Sequence, residues 1–302
     1  MYDKSDPRSA LAKAAPAAAP HTVYYPAEYG LFYKDPPQEA GPNGKTWYAR
    51  GQNFIIAYTE AAPGAVFERK GQPDEYVAII PNPETPVVAT SGAQTETTDG
   101  YSLLILPPGD SRITLAKGGV IVRLFSPNTV DIAAKCSNAA AFAECHITVA
   151  PFKPWPAPKD GFKIRAYTLD VPDEPGRFGR IWRCTTMMVN YLAPQMGPRD
   201  ITKLSPHHHD DFEQCSLALE GSFIHHLRWP WTVNMNQWRE DEHAHVQSPS
   251  ITVIPPPAIH TTRGMEPGLN QLVDIFAPPR LDFSMKPGWV LNAADYPMPD
   301  GE

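Results

Sequence analysis

The sequence predicts an all-β chain, and three observations carry that reading. Prolines number 35 among 302 residues, more than twice ordinary usage. Many stand in pairs at the ends of apolar runs, where proline terminates strands. The apolar runs are short and separated by Pro and Gly turns, the pattern of a sandwich or barrel made of many short strands. Helical patterning is scarce, and its best instance, Val130 to Glu144, lies between two halves of the chain.

A chain of this length suits two domains, and 42% hydrophobic residues supply their cores. The expected organisation is an N-terminal arm over residues 1–25, one domain over 26–150 and a second over 151–302. The Ala- and Pro-rich start, Met1 to Pro20, lacks the basic-then-apolar order of a secretory signal. The net charge of −7 and the absence of a Lys/Arg run argue against a nucleic-acid partner. No apolar stretch approaches the roughly 18 residues of a membrane span. The four cysteines, Cys136, Cys145, Cys184 and Cys215, form no C-x-x-C pair. Reduced thiols in a cytoplasmic protein are the simplest account, with a Cys136–Cys145 disulfide left open.

Chemistry is concentrated in the second half. His207-x-His209-x3-Glu213 places three ligand-type side chains at one parity, hence on one side of a β-strand. His260 follows the turn Pro255-Pro256-Pro257. Three imidazoles and a carboxylate suit a first-row divalent ion such as Fe, Mn, Ni, Cu, Co or Zn. Cys215 shares the parity of Glu213 and is expected to pack inside.

The halves repeat one another. Ile105 to Pro127 matches Val253 to Pro279, and Arg69 to Glu75 matches His207 to Glu213, each preceding an apolar strand. Two copies of one β-domain follow from this. In the first copy Arg69, Gly71 and Arg112 stand at the histidine positions, and only Glu75 persists. Arginine does not ligate metals, so the first copy is expected to be metal-free, with Arg69 and Arg112 flanking Glu75.

With these motifs together, the chain resembles a cupin, more specifically a bicupin with a degenerate N-terminal domain. His207, His209 and Glu213 fall at the ligand positions of the first cupin motif, closed by Gly221; the opening glycine is absent at Ile201. Pro255 and His260 fit the second motif, with Pro257 where glycine is usual. The first half retains Pro107-x-Gly109. The resemblance covers about residues 45–127 and 180–280. It implies two jelly-roll barrels (double-stranded β-helices) joined by a short interdomain helix, a homodimer, and one divalent metal on His207, His209, Glu213 and His260.

That ligand set leaves coordination positions open, and three classes of function remain. The first is an Fe(II) dioxygenase acting with O2 on a small aromatic or enolisable substrate that chelates the metal. The second is a non-redox isomerase or lyase using Zn, Mn or Ni on a small polar substrate. The third is a non-catalytic small-molecule-binding bicupin. The insertion over residues 222–248 reads either as a hairpin packed on the barrel or as a pocket wall. In the second case His226 and Arg228 are candidate catalytic residues, with Glu213 as a base.

Overall fold

The computed structural model describes residues 23–299. The expected arm lies mostly outside them. Strands dominate, and the sheets form two jelly-roll barrels, as the resemblance implies. In the N-terminal barrel a seven-stranded sheet runs in the order Arg165–Thr168, Ser102–Leu106, Tyr76–Ile80, Gly119–Phe125, Ile55–Ala61, Gly44–Arg50, Glu39–Gly41. It is completed by a four-stranded sheet, Ala65–Gln72, Gly109–Leu115, Val87–Ser91, Gln94–Thr98. In the C-terminal barrel the larger sheet follows the order Glu28–Gly30, Ser250–Ile254, Gln214–Glu220, Leu269–Phe276, Met188–Tyr191, Ile181–Arg183. Glu242–Gln247, Ser222–Arg228 and Ile259–Gly264 form the smaller one.

The barrels exchange strands. Glu28–Gly30 pairs with Ser250–Ile254 in the C-terminal barrel, and Arg165–Thr168 pairs with Ser102–Leu106 in the N-terminal one. The structural units therefore depart from the expected boundaries of 26–150 and 151–302 at these two strands. The helical pattern from Val130 to Glu144 becomes one α-turn, Val130–Ala133, and one 3-10 turn, Ala139–Phe142. Cys136 and Cys145 are unpaired. Among the described residues no helix is long and apolar enough to cross a membrane.

The large sheets are buried on both faces, which is why their strands read as unbroken apolar runs. In Tyr76–Ile80, Tyr76, Ala78 and Ile80 face the core of their own barrel, while Val77 and Ile79 join a core shared between the barrels. In Gln214–Glu220 the same alternation sends Cys215 and Leu217 to the shared core.

The repeated glutamates fasten this shared core. Glu75 is fully buried; one carboxylate oxygen accepts from Thr185 N (3.0 Å) and Thr185 Oγ1 (2.8 Å), the other from Tyr296 Oη (2.8 Å). Glu213 does the reverse, accepting from Gln52 N at 2.6 Å. Gln52 and Thr185 occupy equivalent turns, closed by Gly51 N to Phe54 O and by Cys184 N to Met187 O. Each barrel thus sends a glutamate to cap a tight turn of the other. Gly51 permits the approach: a Cβ there would stand 2.6 Å from Glu213 Oε2.

The expected Arg69–Glu75–Arg112 cluster does not form. Arg69 pairs with Asp131, and Arg112 lies at the surface beside Glu68. Glu75 points to the opposite side, away from its own barrel's interior. Glu75→Ala strands three donors in a dry interface and is expected to lower unfolding free energy by about 2–5 kcal/mol in urea titrations. Arg112→Ala, at an exposed pair, is expected to change it by less than about 1 kcal/mol.

Candidate metal centre

Three histidines converge as the sequence suggests. The ligand-type atoms of His207, His209 and His260 all lie within 4.8 Å of one another. His207 and His260 are joined by a two-way backbone bridge, His207 N to His260 O (3.1 Å) and His260 N to His207 O (2.7 Å), which fixes the two motifs side by side. His207 Nδ1 donates to Ser205 O and His260 Nδ1 to Ala258 O, each at 2.9 Å. With the proton held at Nδ1, Nε2 is the ring atom that carries the lone pair of a ligand. Arg199 steadies the first of these supports by donating to Ser205 Oγ (2.9 Å) and Thr262 O (2.7 Å). Burial first, then the nearby Arg280, His207 and His260, hold His209 well below the ordinary imidazole range, so it stays a neutral ligand.

Glu213 is not the fourth ligand. The chain bends over Asp210 and Asp211 before the strand begins at Gln214, so parity does not carry from His209 to Glu213. Glu213 turns to the inter-barrel interface, where its carboxylate meets Gln52 and lies 3.9 Å from His146 Nδ1. It is therefore neither a ligand nor a base at the histidine cluster.

Gln214, not Glu213, faces the histidines. Its Oε1 lies 3.0 Å from His209 Nε2 and 3.3 Å from His260 Nε2. Two donors about 2.1 Å from one ion and at right angles stand about 3 Å apart, so these spacings suit a shared cation. The amide orientation is fixed from behind: Gln214 Nε2 donates to Asp274 Oδ1 and to Ser216 Oγ, and Ser216 Oγ donates to the same Asp274 oxygen, all at 3.0 Å. The donor set of three neutral imidazoles and one amide oxygen fits a first-row divalent ion. Being uncharged, it would leave such an ion its full positive charge.

The cluster opens on a cavity of about 200 Å³, below the usual 300–1,000 Å³ of ligand sites. Phe178, Leu192, Phe223 and Leu272 form apolar wall, while Arg199, Thr261, Thr262 and Asn270 supply polar wall.

His226 and Arg228 do not reach this cavity. On Ser222–Arg228 it is Phe223, His225 and Leu227 that turn toward the barrel interior, while His226 and Arg228 lie on the opposite face. Arg228 is exposed and chelated by Asp241, and His226 Nδ1 meets His243 Nδ1 at 2.8 Å on the outer face. The tryptophans of the hairpin also stay off the site: Trp229 packs against Ala27, Ile254 and Ala258, and Trp231 stacks on Trp238. The residue missed is His225, buried behind the cavity wall with Nδ1 2.9 Å from Thr262 Oγ1. Burial, with the neighbouring His260 and His226, pushes its pKa down to about 3, so it is neutral. Its parity with the apolar Phe223 and Leu227 was the available signal.

Comparisons with known proteins agree on the fold. No protein-family model and no curated protein matches the chain. Among solved structures it is similar to AerE from Microcystis aeruginosa, at 9% identity and a TM-score of 0.54 over 78% of this chain and 93% of that one. It is also similar to an oxalate decarboxylase–formate complex from Lactobacillus farciminis, at 14% and 0.57 over 86% and 88%. A third is the Bacillus subtilis oxalate decarboxylase studied for its Mn(II) centres, at 12% and 0.50 over 90% and 84%. The chain has the cupin fold.

Two predictions follow from the geometry. Alanine at His207, His209 or His260 is expected to abolish co-purifying metal in elemental analysis, and Gln214→Ala to weaken affinity about 10–100-fold; Glu213→Gln is expected to leave metal content unchanged. The second concerns pH. Burial raises the Glu213 carboxyl from 4.5 to about 7, against the opposing Gln52 N–H. The folded chain therefore holds a proton that the unfolded chain has released, and stability falls as pH rises through this window. In urea titrations between pH 5 and pH 8, Glu213→Gln is expected to remove up to about 3 kcal/mol of that fall.

Proposed function

We propose that this chain is a metal-dependent cupin enzyme acting on a small, oxygen-rich anion that chelates the ion. The observation that carries the reading is the oriented, uncharged donor set opening on a small cavity with an arginine in its wall. His207, His209, His260 and Gln214 would hold the ion. When bound, it would supply Lewis acidity toward chelated carboxylate or enolate oxygens and, if redox-active, a partner for O2.

The chain's own residues account for selectivity. Arg199 adds positive charge at the wall and favours an anion. Thr261, Thr262 and Asn270 offer hydrogen bonds that orient it, while Phe178, Phe223 and Leu272 exclude water on the other side. The cavity's size favours a compact substrate over a bulky aromatic one, and none of the hairpin's tryptophans lines it. We place the reaction first among lyase- or isomerase-type conversions of small carboxylates, with Mn, Zn or Ni. Two solved structures of similar fold are oxalate decarboxylases, one with formate and one with Mn(II) centres named in its study. The second reading, favoured by the three-imidazole set, is an Fe(II) dioxygenase on a small enolisable substrate. In either case we assign the metal to the C-terminal barrel alone. A cytoplasmic homodimer remains part of the proposal.

The experiment combines elemental analysis of protein purified without added metal with a substrate panel of small dicarboxylates, 2-oxo acids and 1,3-diketones, run in air and without O2. Turnover that persists without O2 and is lost in His260→Ala supports the lyase or isomerase reading. Turnover that requires O2 supports the dioxygenase. Absence of both metal and turnover in every condition overturns the enzyme reading and leaves a binding protein.

A further inference from the structure

The N-terminal barrel holds a cavity of its own, about 600 Å³, bounded by the hairpin of Glu39–Gly41 and Gly44–Arg50, by Ala65–Gln72 and by the turn at Val130–Ala133. In its wall stands Arg123, only 6% exposed. Among the described residues no carboxylate forms an ion pair with Arg123. Its Nε is buried without a hydrogen-bond partner, Nη2 lies 3.5 Å from Thr59 Oγ1, and the Tyr48 hydroxyl accepts a further hydrogen bond from the guanidinium. The guanidinium lies over the Phe67 ring, 4.2 Å from its centroid. The carboxylate on the cavity rim, Glu39, is already engaged by Lys135 Nζ (2.5 Å) and Tyr48 Oη (2.6 Å). A guanidinium stays charged, and Glu39, which feels that charge, is bonded to Lys135 and Tyr48 rather than paired directly with Arg123.

Register makes this position informative. Arg123 pairs with Ala78 on Tyr76–Ile80, and Asp274 pairs with Ser216 on Gln214–Glu220. The matching glutamates Glu75 and Glu213 align those strands, so Arg123 and Asp274 are equivalent. Tyr76 likewise stands where the other barrel has Gln214, and its hydroxyl bonds Ser111 at 2.9 Å. The repeat has kept a cavity in both barrels and reversed the charge at one place. The C-terminal barrel has an acid there, behind Gln214 and the histidines. The N-terminal barrel has a base there, whose Nε is buried without a hydrogen-bond partner.

We propose that the N-terminal barrel binds a small carboxylate on Arg123, at a site separate from the metal centre. The planar fork of the guanidinium matches a carboxylate, and Phe67, Tyr48 and Ile132 offer apolar wall to the rest of the ligand.

The test is calorimetric titration of the full chain in the His260→Ala background, which removes the metal centre as a competing anion site. Formate, oxalate, benzoate and inorganic phosphate are the probes, at constant ionic strength. The expected result is saturable 1:1 binding of at least one carboxylate, weakened at least tenfold by Arg123→Gln and severalfold by Arg123→Lys, which keeps the charge and supports folding. No saturable carboxylate binding overturns the proposal, as does binding that both variants leave unchanged. Binding of phosphate in preference to every carboxylate overturns the ligand class assigned here.

Discussion

Two buried carboxyl groups set the geometry on which the rest of this molecule depends. Glu75 and Glu213 begin equivalent strands and cross to cap equivalent turns in the opposite barrel. Each cap satisfies a backbone N–H that an otherwise apolar interface would leave dry. Because each glutamate immediately precedes a large-sheet strand, its capture fixes where that strand starts. The next residue must then face the barrel interior. In one barrel that residue is Gln214, which meets two histidines; in the other it is Tyr76, which fills the core.

The persistence of the glutamate in both repeats thus has an architectural cause. Ligand positions diverged between the barrels while the inter-barrel cap did not. Burial of a carboxyl at the edge of an apolar interface also explains why Glu213 is held protonated toward neutrality. The histidine cluster owes nothing to that proton, since Glu213 faces away from it.

Much of the fold was legible in the sequence, and the site partly so. Proline-ended apolar runs gave the β-architecture, and the repeat gave two barrels. His207, His209 and His260 were legible because ligand residues beside a proline turn are a specific pattern. Gln214 was not, because only the bend at Asp210 and Asp211 turns it toward the histidines. The same local irregularity misplaced Glu213. His226 and Arg228 were misread for a different reason: alternation along Ser222–Arg228 is plain, but which face is inward depends on the partner strand Ile259–Gly264. The length of the helical segment after Val130 was overestimated because alanine-rich sequence favours helix locally, while the turn near Cys136 is set by packing against the first barrel.

The traded strands, Glu28–Gly30 and Arg165–Thr168, tie the chain in a way its midpoint conceals. A cut near residue 150 would strip each fragment of an edge that belongs to its sheet and leave it carrying an orphan segment instead. The bare edges of Ser250–Ile254 and Ser102–Leu106 would then invite association with any free strand. Each half is therefore obliged to mature in the company of the other, and the smallest unit able to stand alone is the pair.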